Sequence, residues 1–192
     1  MRLKAEEFSQ GQYYHLYNHS VSEQLLFQDS EDYLKCLSLF KRYYNTKDYS
    51  ILAYCLMPNH YHILIYQKTD YPIYTYFENI WSKYSRYYNN RYKRKGTLFA
   101  GKLQHIGIRK LQHLLHLCAY IHLNPVKANL VESPEQWQWS NYPEWIRIRN
   151  GSMIDREQIK SFFKTKQEYK ECLKSLVPEK LDKIVLFDFE KE

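Results

Sequence analysis

Two imidazoles one residue apart, in His60-Tyr61-His62, are the first groups in this chain that could act together. In an extended strand alternate side chains share a face, with their Cα atoms about 6.5–7 Å apart. A pair held that way can chelate one divalent cation. The same spacing also describes a half-buried strand with polar edges, and a chain with eight histidines readily produces one such pair. Tyr120 is the second candidate. With residues set 100° apart around a helix and Tyr120 at zero, Leu111, Leu114, Leu115 and Cys118 fall between about 120° and 220°. On the same wheel Asn124 falls at about 40°, His113 at about 20° and His116 at about −40°. The phenol is then opposite the apolar stripe, on a polar face shared with two histidines and an amide. It is placed either for chemistry or as one surface tyrosine among twenty.

The elements that must position these groups follow from periodicity and breakers. Gln12 to Tyr17 reads as a strand. Ser30 to Tyr44 has helical apolar spacing, with Ser30 as the expected cap. Tyr49 to Met57 and His60 to Tyr66 are β-prone runs around Pro58-Asn59, a hairpin signature. Pro72 to Tyr92 reads as a long helix, Leu103 to Ile108 as a strand, and Arg109 to Leu123 as a helix that Pro125 should stop. The predicted fold class is α+β: a ferredoxin-like βαββαβ core with helices on one face of the sheet, then additional C-terminal helices. Ser133 to Gly151 reads as an irregular closing segment and Ile154 to Leu176 as one or two helices, with a looser tail from Val177. The expected division is residues 1–150 as a catalytic domain and 151–192 as a helical extension.

At 192 residues the chain is long enough to bury a core without disulfides or a structural metal. No run approaches the roughly 18 apolar residues of a membrane span, and Met1 to Gln10 lacks the apolar core of a secretory signal. The expectation is a cytoplasmic, nucleoid-associated protein without a membrane partner. Cys36, Cys55, Cys118 and Cys172 are too scattered for a zinc ribbon and read as reduced thiols. The net charge of +7 is concentrated. Residues 1–78 carry 7 basic and 9 acidic side chains, residues 132–192 carry 11 and 12, and residues 79–131 carry 10 basic and no acidic ones. Such a block fits a polyanion, nucleic acid foremost, with an acidic protein partner or plain solubility as the alternatives.

Taken in order, Tyr14-His15-Leu16-Tyr17-Asn18, Met57-Pro58-Asn59-His60-Tyr61-His62-Ile63-Leu64, Gly96-Thr97-Leu98-Phe99, Tyr120-Ile121-His122-Leu123-Asn124-Pro125-Val126-Lys127-Ala128 and Trp139-Ser140-Asn141-Tyr142 resemble the single-tyrosine HUH transposases, in particular the REP-associated tyrosine transposase branch. The likeness runs from about Tyr13 to Tyr142. Asn18-His19-Ser20 departs from the family's Asn-Arg-Gly, which bears on a local turn or substrate contact.

The resemblance implies a ferredoxin-like core, His60 and His62 as ligands of a divalent cation (Mg2+ or Mn2+), Asn124 as an amide ligand and Tyr120 as the nucleophile. The implied reaction is metal-dependent cleavage and rejoining of single-stranded DNA through a 5′-phosphotyrosine intermediate, at hairpin-forming repeats. Lys83, Arg86, Arg91, Lys93, Arg94, Lys95, Lys102, Arg109 and Lys110 are the cations expected to follow the phosphates, with Tyr84, Tyr87, Tyr88 and Tyr92 as stacking surfaces or core. The expected partner is single-stranded or hairpin DNA, bound by a monomer or homodimer. Two rivals remain: a non-catalytic RNA- or single-stranded-DNA-binding module of similar fold, and a metal-dependent nuclease that uses water.

Overall fold

Strand periodicity and the two crossover helices produce the expected order. In the computed structural model, which describes residues 8–175, β1 (Tyr13–His19), β2 (Tyr49–Leu56), β3 (His60–Gln67) and β4 (Gln104–Ile108) form one sheet in the order β2-β3-β1-β4. All three pairings are antiparallel. The crossovers are α1 (Ser30–Tyr43) and α2 (Ile73–Arg91), giving βαββαβ. After β4 come α3 (Leu111–Lys127), α4 (Tyr142–Trp145), α5 (Arg156–Phe162) and α6 (Lys166–Ser175). The sequence-predicted tail from Val177, and the part of the 151–192 extension beyond Ser175, lie outside the described residues.

The sheet has two covered faces. Tyr14, Leu16, Tyr61, Ile63 and Ile65 point to α1 and α2, where Phe40, Phe77, Ile80, Trp81 and Tyr84 meet them. Ala53, Cys55, Leu64 and Ile108 point the other way and pack on Leu114, Leu117, Cys118 and Ile121 of α3. The helices on one face are thus α1 and α2, as expected, while α3 makes a third layer. A bulge in β2 sits between Ile51 and Ala53. It leaves the Leu52 carbonyl outside the ladder, where it accepts from Asn141 Nδ2 and Trp145 Nε1, both at 2.8 Å.

β2 would be a bare edge strand, an invitation to unwanted pairing. The Trp139-Ser140-Asn141-Tyr142 segment covers it: Leu56 N donates to Trp139 O, Tyr54 N donates to Asn141 Oδ1, and Cys55 bridges to Ser140. The irregular segment predicted from its prolines and tryptophans is therefore an edge cover.

Three local expectations are corrected. The cap of α1 is Asp29, not Ser30: its carboxylate accepts from the Glu31 and Asp32 amides. Pro125 does not stop α3, which runs to Lys127. Only the last turn follows Pro125, and the Ala128 and Leu130 amides still reach Asn124 O and Pro125 O. Leu111, expected on the buried stripe, is 60% exposed. The Ile154–Leu176 region resolves into two helices.

One cluster changes the picture of the basic block. Arg91 is held by Asp29, Glu31 and Asp32, with its Nη1 2.7 Å from Asp32 Oδ1. Asp32 is fully buried and also accepts from Tyr92 Oη and Gln28 N. A residue from the carboxylate-free stretch is thus neutralised by carboxylates that the chain order keeps far away. Tyr84 and Tyr88 are buried and donate to Leu26 O and Leu25 O, so both pin α2 to the 25–26 loop.

α6 braces α3. His122 is buried, and its two ring nitrogens meet Tyr169 Oη at 2.5 Å and Asn141 Oδ1 at 2.9 Å. Tyr169→Phe should lower stability by about 1–3 kcal/mol, the cost of leaving a buried polar atom without its partner. Urea unfolding checks this; an unchanged midpoint would show that α6 does not hold α3 through this bond.

Candidate active site

Register sets the site. On β3 the even residues point toward α3, so His60 and His62 face that layer, while Tyr61 between them points to the other. Tyr61 is 1% exposed and stacks on Trp81 with centroids 3.9 Å apart. The bulky middle residue of the histidine motif is a core anchor that fixes which way the imidazoles turn. The two imidazole rings lie 5.1 Å apart between centroids.

α3 brings the phenol to them. The Tyr120 ring meets the His62 ring edge-on at 5.5 Å. Tyr120 is half-buried rather than on an outward polar face, because it packs against the sheet end as part of the α3 layer. One turn later Asn124 is buried and donates from Nδ2 to the Tyr120 carbonyl at 3.0 Å, with its side chain beside His60. The Lys127 ammonium lies 5.4 Å from the centre of the Tyr120 ring. Four groups from two distant segments therefore converge: His60, His62, Tyr120 and Asn124.

The donor chemistry fits a divalent cation. His60 Nδ1 lies 2.7 Å from Asn59 Oδ1, an atom that can only accept, so Nδ1 carries the proton and Nε2 keeps its lone pair. Burial first, then the nearby His19 and Lys127, pushes the His60 pKa down to about 4, with the neighbouring Asn124 side chain acting the other way. Burial first, then His15, His60 and Lys127, holds His62 well below its ordinary value. Both imidazoles are neutral at pH 7, the state a metal requires. Among the described residues no group of three or more His, Cys, Asp or Glu side chains is arranged as a metal site. The donors these residues offer are two imidazoles and one amide. Such ligands do not by themselves select magnesium over softer ions.

Sequence reasoning missed three neighbours. His15, on the adjacent strand, touches His62: Nε2 to Nδ1 is 2.9 Å. His19 pairs with His60 across β1 and β3. Lys127 was part of the tyrosine motif but carried no assigned role. The strand pairing that joins His15 to His62 is invisible before topology is known.

The rim follows from the loop after α2. The bridge between Ser20 and Phe99, with Val21 N donating to Leu98 O and Ala100 N to His19 O, ties Gly96-Thr97-Leu98-Phe99 to the end of β1. Asn18, the residue of Asn18-His19-Ser20 that keeps the family pattern, is 4% exposed and pins the loop by donating to Gly101 O and Lys102 O. A groove of about 620 Å³ lined by Asn18, Tyr61, Glu78, Asn79, Phe99 and Lys102 opens on the α2 side of the sheet, opposite the histidines. Lys83, Arg86, Lys93, Lys95 and Lys102 are exposed. Arg94 lies over Tyr88 and donates to Asn89. Arg109 and Lys110 are exposed at the start of α3, about 15 Å along its axis from Tyr120. Lys83 and Arg86 lie on α2, the layer opposite Tyr120, and Arg91 belongs to the carboxylate cluster.

Residues 9–124 match the family described as "Transposase IS200 like", more than half of the chain. The chain belongs to the IS200-like transposases. Its fold is that of a REP-associated tyrosine transposase solved bound to a REP hairpin, with a TM-score of 0.61 and 16% identity over 81% of this chain and 98% of that one. A tRNA(His) guanylyltransferase from Saccharomyces cerevisiae gives a TM-score of 0.47 and 13% identity, covering 100% of this chain and 85% of that one. No curated protein matches the chain in sequence. Among the described residues no helix is long and apolar enough to cross a membrane. For this IS200-like transposase the matched region ends at Asn124, so the α3 brace formed by α6 lies beyond it.

The histidines give a stability signature. Burial pushes His15 down to about 3 and His122 down to about 4, the latter against its Asn141 hydrogen bond. With His60 and His62 they bind fewer protons folded than unfolded. Stability is then complete above the unfolded pKa of about 6.5 and declines as pH falls toward the folded values. The urea midpoint in EDTA should be lower at pH 5 than at pH 7; equal midpoints would contradict the neutral burial of these rings.

Proposed function

We propose that this IS200-like transposase cleaves and rejoins single-stranded DNA through a covalent link to Tyr120, using a divalent cation held by His60, His62 and Asn124. The observation that carries the reading is the edge-on approach of the Tyr120 ring to His62, at 5.5 Å, on the face that His60 and Asn124 share. A nucleophile and a ligand set on separate layers would have no such use.

The chain's own groups account for the steps. The Tyr120 oxygen attacks the scissile phosphorus, forming a tyrosyl phosphoester as the bond to the preceding 3′ oxygen breaks. The phenolic proton leaves, and the departing oxygen takes up a proton as a 3′-hydroxyl. When bound, the cation supplies Lewis-acid stabilisation of the negative charge that develops on the phosphate. Lys127, close to the Tyr120 ring, adds positive charge beside the phenol. Asn124 is fixed to the turn that carries the nucleophile by its bond to the Tyr120 carbonyl. The phosphoester conserves the energy of the broken bond, so a 3′-hydroxyl can reverse the step. Hydrolysis would lose it.

Single-stranded or hairpin-bearing DNA is the proposed substrate. Lys93, Lys95 and Lys102 lie on the loop after α2, which the Ser20–Phe99 bridge ties to the end of β1. REP-like hairpins are proposed from the likeness in fold, and the protein would act as a monomer or homodimer on the nucleoid.

Tyr120→Phe should abolish the covalent adduct and strand cleavage in Mg2+ or Mn2+ while DNA affinity stays within about twofold of wild type. Denaturing gels and filter binding measure both. A variant that still cuts would indicate attack by water, and a wild type without adduct would indicate a binding module. His60→Ala or His62→Ala should lose cleavage, and Asn124→Ala should lose less, because water replaces a neutral ligand. Replacing Lys93, Lys95 and Lys102 by Ala should weaken binding and flatten its salt dependence by about three released counterions. An unchanged salt slope would place the DNA elsewhere.

A further inference from the structure

We infer that His15 is the positioning residue for His62, holding its ring in the tautomer that leaves Nε2 free to bind a cation. This rests on the reading of His60 and His62 as ligands.

His15 and His62 sit on adjacent strands, β1 and β3, two residues out of register and so diagonal on one face: His15 is opposite Leu64, and His62 is opposite Tyr17. Both rings turn to the α3 face. His15 Nε2 lies 2.9 Å from His62 Nδ1, with the rings 5.1 Å apart at 25°. Tyr17 stacks on His15 at 5.0 Å and lies 6.4 Å from His62, so the imidazole pair is held between β1 side chains. His15 is 3% exposed, which keeps water from competing for the bond.

The chemistry of that bond has two forms. Either His62 Nδ1 donates to His15 Nε2, or the reverse. Only the first leaves the His62 lone pair on Nε2, the nitrogen not turned to His15. A neutral imidazole in water favours the opposite form, with the proton on Nε2. His15 as acceptor therefore overrides the default tautomer, and its own proton resides on Nδ1. His60 meets the same requirement differently, through Asn59 Oδ1. Each proposed ligand is thus oriented by a fixed acceptor at Nδ1, the arrangement that commonly fixes ring direction and raises basicity at metal-binding histidines. Packing alone would not need it: a phenyl ring would fill the slot beside Tyr17.

Nitrogen-detected NMR of histidine-labelled, metal-free protein tests the inference directly. His62 should carry its proton on Nδ1 in the wild type. In His15→Phe, which keeps the ring volume and removes the acceptor, the proton should move to Nε2. Manganese binding, followed by the loss of the free-ion EPR signal, should weaken 10–100-fold in His15→Phe, the range typical of such partners. His15→Gln, whose amide oxygen accepts, should recover most of it. A wild-type His62 protonated on Nε2 would overturn the inference, and that measurement stands even if a variant fails to fold. So would a folded His15→Phe with unchanged tautomer and manganese affinity. If wild type and His62→Ala alike take up no manganese, the ligand reading itself has failed and the inference falls with it. A loss confined to His62→Ala keeps the ligand reading and removes only His15.

Discussion

The whole site depends on the parity of β3. Side chains alternate along a strand, so a one-residue slip would turn His60 and His62 into the aromatic core under α2 and bring Tyr61 to the site. Tyr61 prevents this. Its stacking on Trp81 and complete burial make the slipped register costly, since a phenol ring would leave the core and two imidazoles would enter it. A residue with no chemical part in the reaction thus decides where the chemistry can occur.

Parity alone would leave two imidazoles on an open sheet face. α3 closes it, and α3 is in turn buried on a second side by the segment after it. His122 joins Tyr169 of α6 to Asn141, and Asn141 bonds the β2 backbone at Tyr54 and Leu52. The helix that carries Tyr120 is therefore tied to the sheet edge opposite its own strand neighbours. The β2 bulge supports this, because it exposes the one carbonyl that both Asn141 and Trp145 use.

Much of this was legible in the sequence because it is local. Breakers and periodicity placed the strands within a residue or two, and His-x-His in a strand implies a shared face whatever the fold. Tyr120 was singled out by its place on the helical wheel, although the wheel put it opposite the buried side. It could not show that the later helices bury His122, because a wheel knows only one partner surface. The charge block was legible as composition and misleading as a surface: Arg91 meets carboxylates about sixty positions earlier, and Tyr84 and Tyr88 anchor α2 in place of facing DNA. His15 stood in the first motif without a role, since its meaning comes from a strand 47 residues away.

The central claim is that one phenol, brought to the histidine face by α3, takes the DNA. Peptide mapping of the covalent product tests it most directly. Trypsin releases the segment from Leu111 to Lys127, in which Tyr120 is the sole tyrosine. After incubation with single-stranded hairpin DNA and Mg2+, mass spectrometry should find the nucleotide on this peptide and nowhere else. An adduct on any other tyrosine-bearing peptide, or cleaved DNA with no adduct at all, would contradict the account.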